Sequence, residues 1–475
     1  MRPIKVQTIH DTKVEVRPDL LAALSAKIGG QVLDSRHPAY DSARAVWNGL
    51  IDKKPGIIVQ CKGVADVMTA VKFASEHDLR IYARAGGHNV AGSCMDEDSF
   101  TIDLSPMRAV HVDPVKQTAR VEGGARLGDL DHETQAFGLA APVGVVSATG
   151  VAGLTLHGGM GWLLRKHGLS IDNLLSVEIV TADGQFRRAD RDHNADLFWA
   201  VRGGGGNFGI VTAFEFKLHP VGPQVWLSVP IYPLERASEV MNAFDEYMQT
   251  APDELMGIGV YWSAPEVPEV PEQYHGVPVV ILLGCYTGPF EQGEKIIAPL
   301  RRIGKPLADL SGPMEWVAVQ KFLDADYPDG DFYYWKSIFL DRLDHRIVQT
   351  LANHHAVRPS GLSSIDVWAL DRAMRRVDST ATAFHKRDAP YMIGIEANWK
   401  KRGDADANIQ WARSLYEDLK QHTRGGNYLN FPGFLEDREE LLRGSYGPNL
   451  DRLITIKAKY DPANLFAGAI NIRNG

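Results

Sequence analysis

One segment of this 475-residue chain is so rich in glycine that it limits what the chain can fold into. Residues 142–173 read PVGVVSATGVAGLTLHGGMGWLLRKHGLSIDN. Glycine is permissive in turns, and consecutive glycine amides form concave nests that bind anions such as pyrophosphate. The segment therefore predicts either a site for a phosphate-bearing cofactor or a glycine-rich turn region without a ligand.

A second glycine motif, RAGGHN at residues 84–89, ends an apolar run that is predicted to be a strand. His88 in this motif has two interpretations. It is either a hydrogen-bonded loop histidine, the ordinary role of such a residue, or a residue that contacts or bonds to the cofactor. Spacing alone does not decide between them.

A third motif, residues 204–209, matches the GxGxxG pattern of dinucleotide-binding proteins. In a Rossmann fold this pattern follows a strand and opens a helix. Here it follows a predicted helix, Asp196 to Val201, and opens a predicted strand, Ile210 to Leu218. We reject the Rossmann interpretation and favour a tight turn between helix and strand over direct contact with phosphate.

Charge and composition exclude several classes of function. The net charge of −8 and the lack of a Lys/Arg-rich arm give no support for nucleic-acid binding. Cys61, Cys94 and Cys285 are odd in number and far apart, so neither a disulfide framework nor a CxxC site is expected. The adjacent His354 and His355 have no HExxH or carboxylate cluster beside them, and no metal site is predicted.

The N-terminal residues lack the apolar region of a secretion signal, and no apolar run approaches the ~18 residues of a membrane span. We therefore expect a cytoplasmic protein with a small-molecule substrate and neither a membrane nor a nucleic-acid partner. The oligomeric state is not predicted.

The hydrophobic patterns predict an α+β fold. Strands are expected at 56–62, 80–85, 100–104, 175–180 and 186–189, and the alternation of Phe100, Ile102 and Leu104 predicts a half-buried strand. Asp183-Gly184 predicts a hairpin. After Pro220 and Pro223, strand-like runs (225–232, 257–262, 278–283, 391–399) alternate with helical runs (234–248, 291–303, 342–355, 405–421). This second part is expected to be an antiparallel sheet backed by helices.

RAGGHN, the 142–173 segment, DLFWAVRGGGGNFGIVT (196–212) and YGPNLDRLITIKAKYDPANLF (446–466) together resemble the berberine bridge enzyme-like branch of the FAD-linked oxidases. These are flavoproteins of the vanillyl-alcohol oxidase/p-cresol methylhydroxylase type. The resemblance covers the chain from about residue 50 to its end. It implies a two-domain fold, with an FAD-binding domain formed by 1–222 and 426–475 and a substrate domain at 223–425.

The resemblance also implies which residues hold the FAD. His88 aligns with the histidine that bonds covalently to the flavin 8α-methyl group. Val146 occupies the place of a cysteine that forms a second bond in many members, so the chain resembles the singly linked ones. Thr149 occupies the position that, in relatives, influences the access of oxygen to the flavin. The predicted cofactor-binding residues are Arg84, Ala85, Gly86, Gly87, His88, Asn89, Pro142, Gly144, Val146, Thr149, Gly150, Gly153, Gly158, Gly159, Gly161, Asn173, Gly209, Ile210, Val211 and Asn471.

Four residues are candidates for the catalytic base. Tyr428 and Asn430 match a Tyr-x-Asn motif that faces the flavin in the family. Glu396 lies on a predicted strand, where it faces either the substrate or solvent, and His157 replaces the first glycine of the usual GGGxG. The resemblance implies hydride transfer to flavin N5 from a small alcohol, sugar or amine, with oxygen as the expected acceptor.

Two alternatives remain. One is an FAD-dependent dehydrogenase or oxidative cyclase of natural-product metabolism that uses little or no oxygen. The other, a flavin-binding protein without turnover, is disfavoured because the second domain is large enough to enclose a substrate. Aromatic residues of that domain, such as Tyr333 and Trp335, line a pocket or fill a core.

Overall fold

The computed structural model describes residues 3–423, 425–434, 436–468 and 470–472. The strands of the first half are β1 (Ile4–Gln7), β2 (Lys13–Val16), β3 (Gln31–Leu33), β4 (Ile57–Gln60), β5 (Ile81–Arg84), β6 (Phe100–Asp103), β7 (Val110–Asp113), β8 (Thr118–Glu122), β9 (Leu139–Ala140), β10 (Leu174–Val180), β11 (Phe186–Asp190), β12 (Ile210–Lys217) and β13 (His219–Pro220). Its helices are α1 (Pro18–Ser25), α2 (Tyr40–Arg44), α3 (Val64–Glu76), α4 (Leu127–Gln135), α5 (Val151–Leu156), α6 (Leu164–His167) and α7 (Ala195–Val201).

The second half continues the mixture of helix and strand. Its strands are β14 (Gln224–Ser228), β15 (Pro230–Pro233), β16 (Leu255–Ser263), β17 (Pro278–Tyr286), β18 (Ala308–Asp309), β19 (Gly312–Glu315), β20 (Phe332–Leu340), β21 (Ser364–Ala369) and β22 (Tyr391–Trp399). Its helices are α8 (Ala237–Thr250), α9 (Gly293–Arg301), α10 (Trp316–Gln320), α11 (His345–Ala356), α12 (Ala373–Arg376), α13 (Ala405–Lys420), α14 (Arg438–Tyr446) and α15 (Leu450–Tyr460). Strands β20 and β21 were not predicted from the sequence.

A four-stranded sheet of order β3-β4-β6-β5 presents the RAGGHN motif at the end of β5. Strand β6 runs parallel to both β4 and β5 and is buried on both faces. The prediction of a half-buried strand here was wrong. Its polar side chains are hydrogen-bonded inside the protein, since Ser99 Oγ lies 3.0 Å from Thr101 Oγ1 and Asp103 accepts from Gln60 Nε2 at 3.0 Å. Alternation of polar and apolar residues cannot reveal such internal pairing.

A second sheet of the first half, β11-β10-β12-β8-β7, is antiparallel throughout. The predicted hairpin between β10 and β11 is confirmed, and Gly184 takes the positive φ of +69° that its turn requires. Strand β12 follows the turn formed by residues 204–209, as expected once the Rossmann interpretation was rejected.

The second half is built on a nine-stranded sheet, and all of its pairings are antiparallel. One face packs against α8, α9, α11 and α13 through a core that includes Phe244, Leu351 and Leu415. The opposite face carries Ile258, Trp335 and similar side chains, which belong to the core shared with the first half. The strand expected at 225–232 is divided into β14 and β15. Because successive side chains of a strand point to opposite faces, alternate residues of β16 and β20–β22 face the first half.

Helix α15 of the C-terminal segment packs against α7 of the first half. Lys457 is buried and donates from Nζ to Asn207 O at 2.8 Å, Phe466 O at 2.9 Å and Asp461 Oδ2 at 2.6 Å. One ammonium group therefore joins the 204–209 turn to the end of the chain. The division of the chain at residues 222 and 425 stays a prediction.

No helix among the described residues has both the length and the apolar character that crossing a bilayer requires.

A buried ion pair connects the two halves and supports a stability prediction. Arg387, in the loop before β22, donates to both oxygens of Asp172 at 2.7 and 2.9 Å, and their side chains are 2% and 8% exposed. Removing one partner of such a pair leaves an uncompensated buried charge. We expect Arg387→Met to lower the free energy of unfolding by about 3–5 kcal/mol, measured by chemical denaturation of the flavin-loaded protein.

Arg443→Met provides the matched control, because Arg443 pairs with Glu439 on the surface with 71% and 74% exposed side chains. Exposed pairs contribute about 0–1 kcal/mol. A loss of stability in Arg387→Met no larger than that in Arg443→Met would show that the buried pair does not hold the two halves together.

Candidate active site

A cavity of about 290 Å³ lies between the two halves of the protein. From the first half it is lined by residues of 81–94, 144–160 and 206–211, and from the second half by β16, β17, β21 and β22 together with Trp335 of β20. The C-terminal segment adds Tyr428, Asn430 and Phe431. The glycine motifs and the buried face of the nine-stranded sheet thus meet at one space.

Glycines make one wall of this cavity by allowing two backbone segments to touch. A Cβ atom on Gly86 would lie 2.6 Å from the Cα and N atoms of Gly150, which no side chain tolerates. Gly87 has a φ of +67°. At Gly153, in contrast, a Cβ atom would meet nothing within 4 Å, so this residue leaves backbone open toward the cavity.

The structure separates the predicted cofactor residues into two groups. Those that line the cavity are Arg84, Ala85, Gly86, Gly87, His88, Asn89, Gly144, Val146, Thr149, Gly150, Gly153, Gly209, Ile210 and Val211. Those outside its lining are Pro142, Gly158, Gly159, Gly161, Asn173 and Asn471. Several of the second group have other roles: Asn173 Nδ2 donates to His167 O and Leu169 O, and Gly161 packs against the backbone of Val143. Asn207, which also lines the cavity, was not singled out from the sequence.

His88 is held by an aromatic stack. Its ring lies 4.2 Å from that of Trp47 at 14°, and Trp47 stacks in turn on Tyr333 at 3.8 Å. Trp47 Nε1 donates to Tyr327 O at 2.9 Å, which fixes the indole. Burial, with a smaller contribution from Arg126, lowers the pKa of His88 to about 4. The imidazole is therefore neutral, and its Nε2 atom has no hydrogen-bond partner within the described chain.

Cys94 and Val146 line the same cavity as His88. Burial raises the pKa of the Cys94 thiol to about 11, so little thiolate forms at neutral pH. Val146 has no nucleophilic atom. Of these three side chains, His88 is the one with a free nucleophilic nitrogen.

Tyr428 and Asn430 are bonded to each other at the cavity wall. Asn430 Nδ2 donates to the Tyr428 hydroxyl at 2.8 Å, and the amide N of Met160 donates to it at 3.1 Å. Burial raises the pKa of Tyr428 to about 12. The hydroxyl therefore keeps its proton at neutral pH, and it suits donation of a hydrogen bond better than removal of a proton.

Glu396 lines the cavity on β22, and β22 is buried on both faces, so the solvent-facing alternative for this residue was wrong. Tyr327 donates a hydrogen bond to Glu396 Oε2 at 2.7 Å. Asp366 of β21 pairs in register with Gly394, two residues before Glu396, so both carboxyls lie on the same face of the sheet. Asp366 and Tyr327 were missed because neither belongs to a recognisable motif.

The two carboxyls affect each other strongly. Burial and then the neighbouring Asp366 raise the pKa of Glu396 well above its ordinary value. Burial also raises the pKa of Asp366 to about 7. Such a pair shares protons near neutral pH and offers a base inside an apolar site.

His157 also lines the cavity. Its Nδ1 atom is 3.1 Å from Gly153 O, and its Nε2 atom is close to Gly205. Burial lowers the pKa of His157, so the ring is neutral at pH 7. The structure thus places all four predicted catalytic candidates at the cavity.

These residues fit FAD. The lining has a glycine wall without obstructing side chains, an unpartnered histidine nitrogen and open backbone at Gly153. Within the described part of the chain, no group of three or more His, Cys, Asp or Glu side chains could hold a metal ion.

Comparison with known proteins gives consistent matches. Residues 55–190 match the family model of an FAD binding domain, and residues 427–473 match that of berberine and berberine-like proteins. An FAD-linked oxidoreductase of Dictyostelium discoideum is 31% identical over 431 residues, 90% of each chain. The crystal structure of 6-hydroxy-D-nicotine oxidase from Arthrobacter nicotinovorans is 27% identical, with a TM-score of 0.82 over 94% of this chain and 98% of that one. A variant of Phl p 4, a glucose dehydrogenase, is 25% identical, with a TM-score of 0.84 over 96% and 99%.

Proposed function

The chain belongs to the berberine bridge enzyme-like family of FAD-linked oxidoreductases, and we propose that it oxidises a small alcohol, sugar or amine with FAD bonded covalently through His88. Membership of the family and the α+β fold of the p-cresol methylhydroxylase type are confirmed. The chain is therefore an FAD-dependent oxidoreductase. The observation that carries the proposal is the neutral, unpartnered His88 in the same cavity as the Glu396–Asp366 pair.

Backbone and small side chains would hold the cofactor. The glycines at 86, 87, 150 and 209 line the cavity with backbone, and Gly86 and Gly150 allow two segments of its wall to pack closely. Asn89 stabilises the RAGGHN turn by accepting from Ala91 N and Ser93 Oγ. Arg84 stabilises the same turn by donating to Ala43 O and Ala45 O. FAD, when bound, supplies at N5 the acceptor for a substrate hydride.

Glu396 is the proposed base among the four candidates. Burial and then Asp366 raise its pKa, which makes its ionised form a stronger base, and Tyr327 orients its carboxyl. Tyr428, with its pKa of about 12, is proposed to donate a hydrogen bond, and Asn430 fixes its direction. His157 is proposed to fill the wall beside Gly205.

The test begins with the colour of the purified protein. We expect flavin absorption in the native protein and retention of flavin on the pellet after acid precipitation. Full release of the flavin would contradict the covalent bond, and a protein that binds no flavin would contradict the whole proposal.

Reaction with oxygen separates the proposal from its alternative, a dehydrogenase or oxidative cyclase that uses little oxygen. Thr149 lines the cavity at the position that the family resemblance connects with oxygen access. We propose oxygen as the acceptor, so photoreduced protein should reoxidise rapidly when mixed with aerated buffer in a stopped-flow instrument. Slow reoxidation, with rapid transfer to an artificial acceptor, would favour the dehydrogenase.

A further inference from the structure

Asp366 lines the cavity, and one of its carboxyl oxygens, Oδ1, makes no hydrogen bond in the described chain. The residue is 7% exposed and interacts with Glu396 and Ser364, but neither is a hydrogen-bond partner of Oδ1. Glu396, 3% exposed, lies beside it, and one of its oxygens is occupied by Tyr327. Buried carboxyl groups normally have a partner, because desolvating an unpaired charge is costly.

No cation in the described lining supplies that partner. Lysine is absent from it, and its arginine, Arg84, is bonded to the carbonyls of Ala43 and Ala45. His88 and His157 are neutral, because burial lowers the pKa of both rings. The carboxyl pair thus lacks a compensating positive charge from the protein.

The walls around the pair are apolar. They are formed by Ile258, Val260, Leu283, Trp335, Trp368 and Met392. A sugar has a hydroxyl group on most of its carbons, and each would need a partner when buried. These side chains provide almost none, whereas they suit an aromatic or aliphatic body.

We propose that the cavity takes a small amine as its substrate, with the ammonium group between Asp366 and Glu396 and an apolar body against the surrounding walls. This inference rests on the proposed oxidoreductase function and narrows its substrate class. In the reaction, one N–H proton passes to a carboxylate of the pair and the hydride of the adjacent C–H passes to the flavin. A C=N bond forms, so the amine is oxidised by two electrons to an iminium ion.

The test compares two probes of the same shape that differ in charge, 2-phenylpropan-2-amine and 2-phenylpropan-2-ol. Neither has a hydrogen on the carbon that bears the nitrogen or oxygen, so binding is measured without turnover. By titration calorimetry of the flavin-loaded protein, we expect the ammonium ion to bind about tenfold or more tightly than the alcohol, because its hydrogen bonds are charge-assisted.

The preference for the ammonium ion over the alcohol should also increase with pH. Tyr327 and Tyr333 act on the pair electrostatically, and burial raises the pKa of both, so they stay protonated. Asp326, which acts on Tyr327, has a pKa raised by burial to about 6 and completes its ionisation early in the pH range of the test. Ionisation of the pair increases between about pH 6 and pH 8, since the pKa of Asp366 is about 7. The ammonium ion should therefore bind more tightly as the pH rises over this range, and the alcohol should not.

The double variant Asp366→Asn/Glu396→Gln should lose the preference, and Glu294→Gln, at an exposed carboxyl of α9 outside the lining, should keep it. Equal affinity for both probes, no measurable binding of the ammonium ion, or an unchanged preference in the double variant would overturn the amine inference. Flavin absorption is recorded on the same sample. A flavin-free protein would count against the proposed function, while the calorimetric comparison would still decide the inference.

Discussion

A His88→Ala variant is expected to release all of its FAD on acid precipitation, whereas the wild-type protein keeps it on the pellet. Burial holds the pKa of His88 near 4, so the ring is neutral and has a lone pair available for a bond to carbon. The stack with Trp47 fixes the plane of that ring at the cavity wall. The measurement is flavin absorbance of supernatant and pellet, together with the intact mass of the denatured chain.

Cys94→Ala is the matched control for this experiment. Cys94 lines the same cavity, and its thiol can also bond to carbon. Because burial raises the pKa of its thiol to about 11, we expect Cys94→Ala to retain covalent flavin in full. If Cys94→Ala releases flavin and His88→Ala does not, the attachment point is the thiol, and the role assigned to His88 is wrong.

Part of the cavity wall could be predicted from the sequence, because that part is made of backbone. Close approach of two chains demands glycine at Gly86 and Gly150 whatever surrounds them, and this demand is visible as a local motif. Helix α15 was predicted for a similar reason, since the apolar spacing of Leu450, Leu453 and Ile456 defines one face of a helix. Both signals are local, so neither depends on knowing the tertiary fold.

The substrate side of the cavity could not be predicted, because its residues meet only through the tertiary fold. Trp47 reaches Tyr327 across 280 positions of sequence and carries no motif. Asp366 lies in the short strand β21, which was not recognised, and only the pairing of β21 with β22 brings it next to Glu396. Burial raises the pKa of both carboxyls, and the proximity of Asp366 raises that of Glu396 further; the sequence displays neither burial nor proximity.

The second large effect is expected at Glu396. Glu396→Gln keeps the shape of the side chain and can still accept the hydrogen bond of Tyr327, but it cannot take a proton. We expect the rate of anaerobic flavin reduction to fall by about 10²–10⁴-fold, the usual contribution of a general base. The flavin content should be unchanged. The measurement is stopped-flow reduction of the flavin with the best substrate from a panel of amines, alcohols and sugars.

Tyr428→Phe should reduce the rate of flavin reduction less than Glu396→Gln does, because the Tyr428 hydroxyl stays protonated. A larger loss in Tyr428→Phe than in Glu396→Gln would identify Tyr428 as the base.

The pH profile of the Asp366→Asn variant distinguishes an effect on the catalytic base from a simple loss of stability. Asp366 raises the pKa of Glu396 by electrostatic repulsion, so removing its charge should lower that pKa. A base acts in its ionised form, and the activity of the wild-type protein should therefore rise with pH as Glu396 loses its proton. In Asp366→Asn this rising limb should move to lower pH, whereas simple destabilisation would lower the whole profile without moving it. A limb that stays in place would mean that another group supplies the base, because the repulsion between the two carboxyls is a direct consequence of their shared face on β21 and β22.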